Sequence, residues 1–82
     1  MNNEKRFYII RWGYTEEEFI CVAMIKESHP NAEEISQRWL SKISEQYICK
    51  RYLTELEDQA ITKAIEEWKA SPNVLKRMYP KG

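Results

Sequence analysis

The feature that most constrains the fold is a pair of β-favouring segments on either side of the only internal glycine. Residues 6–12 and 18–26 are rich in β-branched and aromatic side chains, and Gly13 lies between them. Glycine is a strong turn former, and a connection of about five residues, 13–17, suits two antiparallel strands. The sequence therefore predicts an N-terminal β-hairpin.

Both faces of this hairpin are largely apolar. Side chains of a strand alternate between its two faces. In the first strand one face carries Phe7, Ile9 and Arg11 and the other carries Tyr8, Ile10 and Trp12. A sheet that is apolar on both faces is either covered on both or paired with another chain.

A first amphipathic helix is predicted after the break at residues 28–31. Asn31 and Glu34 have the spacing of a capping box. The apolar residues that follow recur at helical spacing and extend the predicted helix to about residue 47: Ile35, Trp39, Leu40, Ile43 and Tyr47.

A second helix is predicted from a second capping box, Thr54 with Glu57, to the break at Pro72. Its apolar stripe has the most regular spacing in the chain: Leu56, Ala60, Ile61, Ala64, Ile65 and Trp68. Between the helices, residues 48–53 are either a third strand or a continuation of the first helix. We favour the strand, because the capping box at Thr54 would have no use inside a helix.

These elements predict an α+β fold in the order β-β-α-β-α, with a small antiparallel sheet and two amphipathic helices packed on one face. The alternative is β-β-α-α, a hairpin followed by two helices or by one long interrupted helix. At 82 residues the chain suits one domain. We expect its core within residues 5–70, and a tail, 71–82, that either docks on the core or is ordered by a partner.

Composition argues against several classes of function and location. The 13 basic and 13 acidic side chains give no net charge that would attract nucleic acid or an anionic membrane. The first residues are polar, unlike a secretory signal, and the longest apolar run, 19–25, is too short to span a bilayer. We therefore expect a cytoplasmic protein without a membrane partner, whose Cys21 and Cys49 are not bridged.

No pattern typical of catalysis, metal binding or nucleotide binding occurs in the sequence. The candidate zinc ligands Cys21, His29 and Cys49 are far apart, whereas structural zinc sites use close pairs. Neither cysteine has a local feature that would activate it as a nucleophile, and no glycine-rich phosphate loop is present. We expect a protein that is not an enzyme and that holds no cofactor and no metal.

The remaining hypothesis is a protein-binding module: an adaptor, inhibitor or regulatory protein that contacts another protein or a second copy of itself. The chain has more large aromatic side chains than one small core needs, and such residues are enriched in interfaces. The alternative is a small nucleic-acid-binding protein that uses basic and aromatic residues of the sheet. The partner-binding residues predicted from these two hypotheses are Arg11, Trp12, Tyr14, Lys50, Arg51, Tyr52, Met78 and Tyr79.

Overall fold

The computed structural model describes residues 4–70, and their element order confirms the α+β fold. The elements are β1 (Arg6–Arg11), β2 (Ile20–Lys26), α1 (Ala32–Ile43), β3 (Cys49–Thr54) and α2 (Glu57–Ala70). The third strand is confirmed, which excludes the alternative order β-β-α-α. The predictions for Met78, Tyr79 and the rest of the tail lie outside the described residues.

The three strands form one antiparallel sheet in the order β2-β1-β3, so β1 is central. β1 pairs with β2 as the predicted hairpin and with β3 on its other side. The connection between β1 and β2 is longer than expected, because the strands end at Arg11 and begin again at Ile20. It contains one short 3₁₀ turn, Glu16–Glu18.

A β-bulge interrupts the pairing of β2 with β1. Ile9 lies opposite Ala23 while Ile10 lies opposite Cys21, so Val22 has no partner residue across β1. An extra residue of this kind bends an edge strand and increases its twist.

The two helices cover opposite faces of the sheet, so the expectation that both pack on one face is wrong. Tyr8 and Ile10 belong to a buried cluster that also contains Ala60 of α2. Phe7 belongs to a separate buried cluster with Ala32 of α1. Since neighbouring residues of β1 point to opposite faces, one apolar set faces each helix. This arrangement explains why β1 is apolar throughout its centre.

Small residues form the centre of each helix–sheet contact. Ala32 and Ser36 are the buried residues of α1, and Ala60 and Ala64 those of α2. Small side chains let the helix backbone approach the sheet, and larger apolar residues then fill the flanks. The predicted stripes placed too many large residues at the contact: Trp39, Tyr47 and Leu56 are exposed.

The helix ends also differ from the predictions. α1 ends at Ile43 rather than near residue 47, and Asn31 makes no side-chain capping bond because it adopts a left-handed conformation, with φ 63°. At α2 the cap is supplied by Gln59, whose Oε1 accepts hydrogen bonds from the backbone N–H groups of Glu55 and Leu56. Thr54 instead donates its hydroxyl to the Leu56 carbonyl at 2.8 Å. No helix within residues 4–70 is long and apolar enough to cross a membrane.

Candidate interaction surface

Trp12, predicted to be a partner-binding residue, lies in the core. Its side chain is 4% exposed and packs against Phe19, with ring centroids 5.9 Å apart. Phe19 in turn contacts Trp68 of α2, with centroids 5.4 Å apart. The Trp12 backbone N–H donates to the Ile48 carbonyl at 2.9 Å, which prolongs the β1–β3 pairing. The ring therefore joins the hairpin connection to α2.

Gly13 is required by close packing across the hairpin connection. A Cβ atom at this position would lie 2.2 Å from the Cβ of Glu18, a distance that no side chain can accept without movement of the backbone. The approach lets Glu18 Oε1 accept a hydrogen bond of 2.6 Å from the backbone N–H of Tyr14. Tyr14 itself is exposed, and with Arg11, Trp12, Gly13 and Glu18 it lines a cavity of about 410 Å³.

Lys50 and Tyr52 lie on the face of the sheet that α2 covers, and both contact Glu67 of that helix. The Tyr52 hydroxyl donates to Glu67 Oε1 at 3.0 Å, and Lys50 Nζ lies 3.2 Å from the same oxygen. Lys50 Nζ also lies 5.8 Å from the ring centroid of Trp12.

The environment of Tyr52 strongly disfavours ionisation of its hydroxyl. Burial and the Glu67 carboxylate raise the pKa of Tyr52 well above its usual value, against a smaller lowering effect of the Trp12 indole. The indole Nε1 is buried beside this hydroxyl and has no well-aligned hydrogen bond within residues 4–70. Tyr52 is therefore a neutral, buried donor.

Arg51 points to the opposite face and bridges β3 to α1. One guanidinium nitrogen, Nη1, donates to the Glu33 carbonyl at 3.0 Å and to Ser36 Oγ at 2.9 Å. The guanidinium carbon lies 4.8 Å from the ring centroid of Phe7. On the same face, Arg11 stacks over the Tyr47 ring at 4.1 Å. Both arginines are thus engaged by the fold itself.

The six predicted site residues within the described part of the chain do not form one surface. Arg11, Trp12 and Tyr14 meet at the hairpin connection, Lys50 and Tyr52 face α2, and Arg51 faces α1. Their assignment to partner binding stays a prediction. Of the six, Tyr14 and Lys50 are exposed, Arg11 and Arg51 are half-buried, and Trp12 and Tyr52 are buried.

An open groove of about 680 Å³ lies beside α1. It is lined by Asn31, Glu33, Glu34, Gln37, Arg38, Ser41 and Arg51. Arg38 and Glu34 form an exposed i,i+4 pair at 3.8 Å, which contributes little in water. Because cations and carboxylates are mixed along it, the groove has no single charge that would select a ligand.

The outer edge of β2 is the surface that sequence reasoning missed. β2 has no neighbouring strand on its outer side in the described sheet, and three large apolar side chains are exposed there. Ile20, Val22 and Met24 are 45%, 40% and 46% exposed. In the sequence, the sign of this surface is that residues 20–25 carry no charged side chain. Whether β2 is an edge strand depends on which side of β1 is joined by β3, and the sequence does not show this.

The two cysteines lie on strands that flank β1 and cannot be bridged within one chain. Cys21 pairs with Ile10 and Cys49 with Arg11, so they are separated by two strand spacings, about 9.5 Å. A disulfide needs Cα atoms within about 7 Å. Burial raises the pKa of both thiols, which makes them weak nucleophiles.

Between residues 4 and 70, no group of three or more His, Cys, Asp or Glu side chains is arranged to hold a metal ion. Among the described residues, the exposed apolar edge of β2 and the cavity beside Tyr14 are candidate contact surfaces. No known protein family, curated protein or solved structure matches the chain significantly.

Proposed function

We propose that the protein is a non-enzymatic protein-binding module whose contact surface is the outer edge of β2. The observation that carries this proposal is the exposure of Ile20, Val22 and Met24 on an edge strand. Every second residue of an edge strand directs its backbone N–H and C=O outward, and these groups can pair with a strand of another molecule. Apolar side chains beside them supply additional affinity.

The two edges of the sheet differ in a way that supports this assignment. Natural edge strands commonly carry charged residues that discourage pairing with another chain. β3 carries Lys50 and Arg51 in its interior, whereas the only charged residue of β2 is Lys26 at its end. The bulge at Val22 is the one protective device in the interior of β2. β2 is therefore the edge that is better suited to a partner.

The predicted partner-binding residues at the hairpin connection, Arg11, Trp12 and Tyr14, contribute less to the proposal. Trp12 is enclosed by Phe19 and the elements around it, so a partner reaches Tyr14 and Arg11 but not the indole ring. Tyr14 stays a predicted contact, since its ring is exposed. Tyr14 lies in the connection between β1 and β2, a few residues before Ile20. A partner bound along β2 can therefore extend to it.

The nucleic-acid alternative has weaker support. Proteins that stack bases on a sheet need an open face with exposed aromatic rings. Here α1 covers one face and α2 the other. Arg11, Lys50 and Arg51 each contact a side chain or a carbonyl of the same chain. Binding of nucleic acid would have to displace these contacts.

The proposal is tested with one charge on the edge and one matched control. Met24→Lys adds a cation at an exposed apolar residue of the edge strand β2, and Leu56→Lys adds the same cation at an exposed apolar residue outside the sheet. Tagged wild type and both variants are incubated with nuclease-treated lysate of the native cell, and the captured proteins are compared. Self-association of each purified chain is measured separately by sedimentation.

We expect Met24→Lys to lose the protein contact of the wild type, whether with another protein or with a second copy, while Leu56→Lys keeps it. Both variants should unfold at the wild-type temperature within a few degrees, because both sites are exposed. A wild type that binds no protein and stays monomeric, or an equal effect of the two variants, contradicts the proposal.

A further inference from the structure

We infer that residues 73–79 of the C-terminal tail pair with the outer edge of β2 as a fourth strand of the same chain, and that a partner has to displace them. The inference rests on the proposed function, because it concerns access to the same edge. Strand pairing uses backbone groups that every non-proline residue carries, so it needs no single match of side chains. Three observations favour the β2 edge: the position of the end of α2, the hand of the crossover connections and the charges of the two edges.

The last turn of α2 lies next to the first residue of β2. In this turn Trp68 contacts Phe19, with ring centroids 5.4 Å apart, and Lys69 Nζ lies 2.8 Å from Glu16 Oε2. Phe19 immediately precedes β2, which begins at Ile20. The tail therefore starts at the Ile20 end of β2, and a tail that follows this strand runs parallel to it.

The tail contains a segment of the length that this pairing requires. β2 has seven residues, which span about 23 Å at about 3.3 Å per residue. Residues 73–79 are also seven in number, and they lie between Pro72 and Pro80. Proline has no N–H to donate to a neighbouring strand, so the two prolines bound the part of the tail that can pair throughout. Two residues separate this segment from the end of α2, a reach of about 10 Å.

The hand of the crossover connections favours β2 over β3 as the strand beside the tail. β2 and β3 are both antiparallel to β1, so they are parallel to each other, and α1 connects them over the face of the sheet that carries Phe7. For a tail beside β2, α2 leads back across the sheet in the opposite direction over the opposite face, which carries Tyr8. Reversing both the direction and the face keeps the hand, so the two connections agree. A tail on the outer edge of β3 would give two connections of opposite hand, although about 98% of such connections are right-handed.

The charges of the two edges favour the same strand. The tail carries no acidic residue and three basic ones: Lys76, Arg77 and Lys81. The rest of the chain carries ten basic and 13 acidic residues. β3 has the adjacent cations Lys50 and Arg51 in its interior, and like charges on neighbouring strands destabilise their pairing. Residues 20–25 of β2 carry no charge, and the acidic residues 16–18 precede them, so a basic segment fits β2 better than β3.

β2 exposes an apolar side chain on each face of the sheet, and the tail can cover both. Ile20 lies opposite Arg11 and Met24 opposite Tyr8, so the bulge places these two exposed residues on different faces. As a strand, the tail segment has two apolar residues on each of its faces: Val74 and Met78 on one, Leu75 and Tyr79 on the other. Pairing therefore removes apolar area from water on both faces of the sheet, which stabilises the closed form.

Residue-resolved amide hydrogen exchange of the full chain tests the pairing. Leu75→Pro combined with Met78→Pro removes one N–H from each of the two alternating sets of tail residues, one of which faces β2, and it changes no charge. Gly82→Pro is the control, because it adds a proline outside the pairing segment. In the wild type we expect the outward N–H groups of β2 to be protected. They should exchange roughly tenfold faster in the double variant, while the amides of β1 and the Gly82→Pro chain stay at wild-type rates.

Three results overturn the inference. The first is that the double proline variant leaves exchange in β2 unchanged. The second is that it accelerates β1 as much as β2, which would mean that the tail acts on the whole fold and not on the edge. The third is that protection of β2 rises with protein concentration, which would assign the pairing to a second copy of the chain.

The failure of this inference is distinguishable from failure of the proposed function. The double proline variant should bind a captured partner roughly tenfold more tightly than the wild type, because the fraction of chains with a free edge sets the apparent affinity. Adding Met24→Lys to it should abolish that binding. If the prolines leave exchange in β2 unchanged while Met24→Lys still abolishes capture, the pairing of the tail is wrong and the binding edge stands. If the prolines free the edge but Met24→Lys does not alter capture, the tail pairs with β2 and the proposed function is wrong.

Discussion

The hydroxyl of Tyr52 donates a hydrogen bond of 3.0 Å to Oε1 of Glu67 and thereby ties the edge strand β3 to the helix α2. Lys50 Nζ lies 3.2 Å from the same oxygen, so the carboxylate is shared by a neutral donor and a cation. Tyr52 is buried while Lys50 is exposed. The hydrogen bond of Tyr52 should therefore contribute more to stability than the ion pair, which solvent screens.

The raised pKa of Tyr52 predicts a loss of stability at alkaline pH. The unfolded chain releases the phenolic proton near its ordinary pKa of 10, whereas the folded chain retains it. The stabilisation is complete below about pH 10 and is lost as the pH rises towards the folded pKa. Residue 52 cannot ionise in Tyr52→Phe, so the free energy of unfolding of this variant should decline less steeply with pH above pH 10. The difference in slope should correspond to at most one proton released on unfolding.

Urea unfolding between pH 7 and pH 11 measures this difference. At pH 7 the Phe variant should be less stable by about 1 kcal/mol, the usual net value of one hydrogen bond. Tyr14→Phe is the control, because it removes the same hydroxyl group from an exposed ring. If Tyr52→Phe and wild type decline in parallel, the Tyr52 hydroxyl is accessible to solvent in the folded chain.

Trp12 and Tyr14 are neighbours of Gly13 with opposite exposure, and their substitution should separate core from surface. Trp12→Ala should lower the free energy of unfolding by about 3–5 kcal/mol, because it removes a buried ring that packs on Phe19. Tyr14→Ala should change it by less than about 0.5 kcal/mol. Thermal and urea unfolding of both variants check the expectation. Equal effects would mean that the hairpin connection is packed differently.

Local sequence patterns were sufficient for the kind and order of the elements. The β-branched residues around Gly13, the helical spacing after Asn31 and the break before α2 each act within a few residues. The hairpin, both helices and the third strand are therefore confirmed. The exact helix ends were not predictable, because Gln59 caps α2 where a Thr54 box was expected.

Relations between distant residues were not predictable from pattern alone. The side of the sheet that each helix takes depends on how the chain crosses over, and both faces of β1 are apolar enough for either. The contact of Arg51 with Ser36 joins residues 15 positions apart and has no local signal. The candidate edge of β2 depends on β3 joining the other side of β1. The sequence analysis instead selected large aromatic residues such as Trp12 as partner-binding residues, and the Trp12 side chain is buried in the core.

Arg51 should stabilise the contact between β3 and α1 through geometry as well as charge. Its guanidinium reaches the Glu33 carbonyl and Ser36 Oγ together and lies over the Phe7 ring. Arg51→Lys keeps the charge but cannot reproduce the planar group, so we expect a loss of about 1–2 kcal/mol. Arg51→Met should lose more, because Ser36 is left without this donor.

Arg38 provides the comparison for Arg51, since it lies on the same groove and its ion pair with Glu34 is exposed. Arg38→Lys and Arg38→Met should each change the free energy of unfolding by less than about 0.5 kcal/mol. Urea unfolding at low and high salt distinguishes the two arginines: the Arg51 effect should persist in salt. An Arg51→Lys variant as stable as the wild type contradicts the structural role.

Gly13 and Glu18 should be coupled, because their backbones approach too closely for a side chain on both. In Gly13→Ala the new Cβ would lie 2.2 Å from Glu18 Cβ, so the hairpin connection must shift and we expect a loss of about 1–3 kcal/mol. Glu18→Gly removes the Glu18 Cβ that a Cβ at residue 13 would meet. It also removes the carboxylate that accepts the hydrogen bond of the Tyr14 N–H, so this variant should itself be less stable than the wild type.

The two changes together should cost less than the sum of their separate effects, because Gly13→Ala meets no Cβ when residue 18 is glycine. A double-mutant cycle by urea unfolding measures this coupling, which should exceed about 0.5 kcal/mol in favour of the double variant. Glu17→Gly serves as the control partner, since Glu17 is exposed and none of the atoms nearest to a Cβ at Gly13 belongs to it. Strict additivity with Glu18→Gly would show that the close approach does not limit residue 13, and that glycine is there for its turn propensity alone.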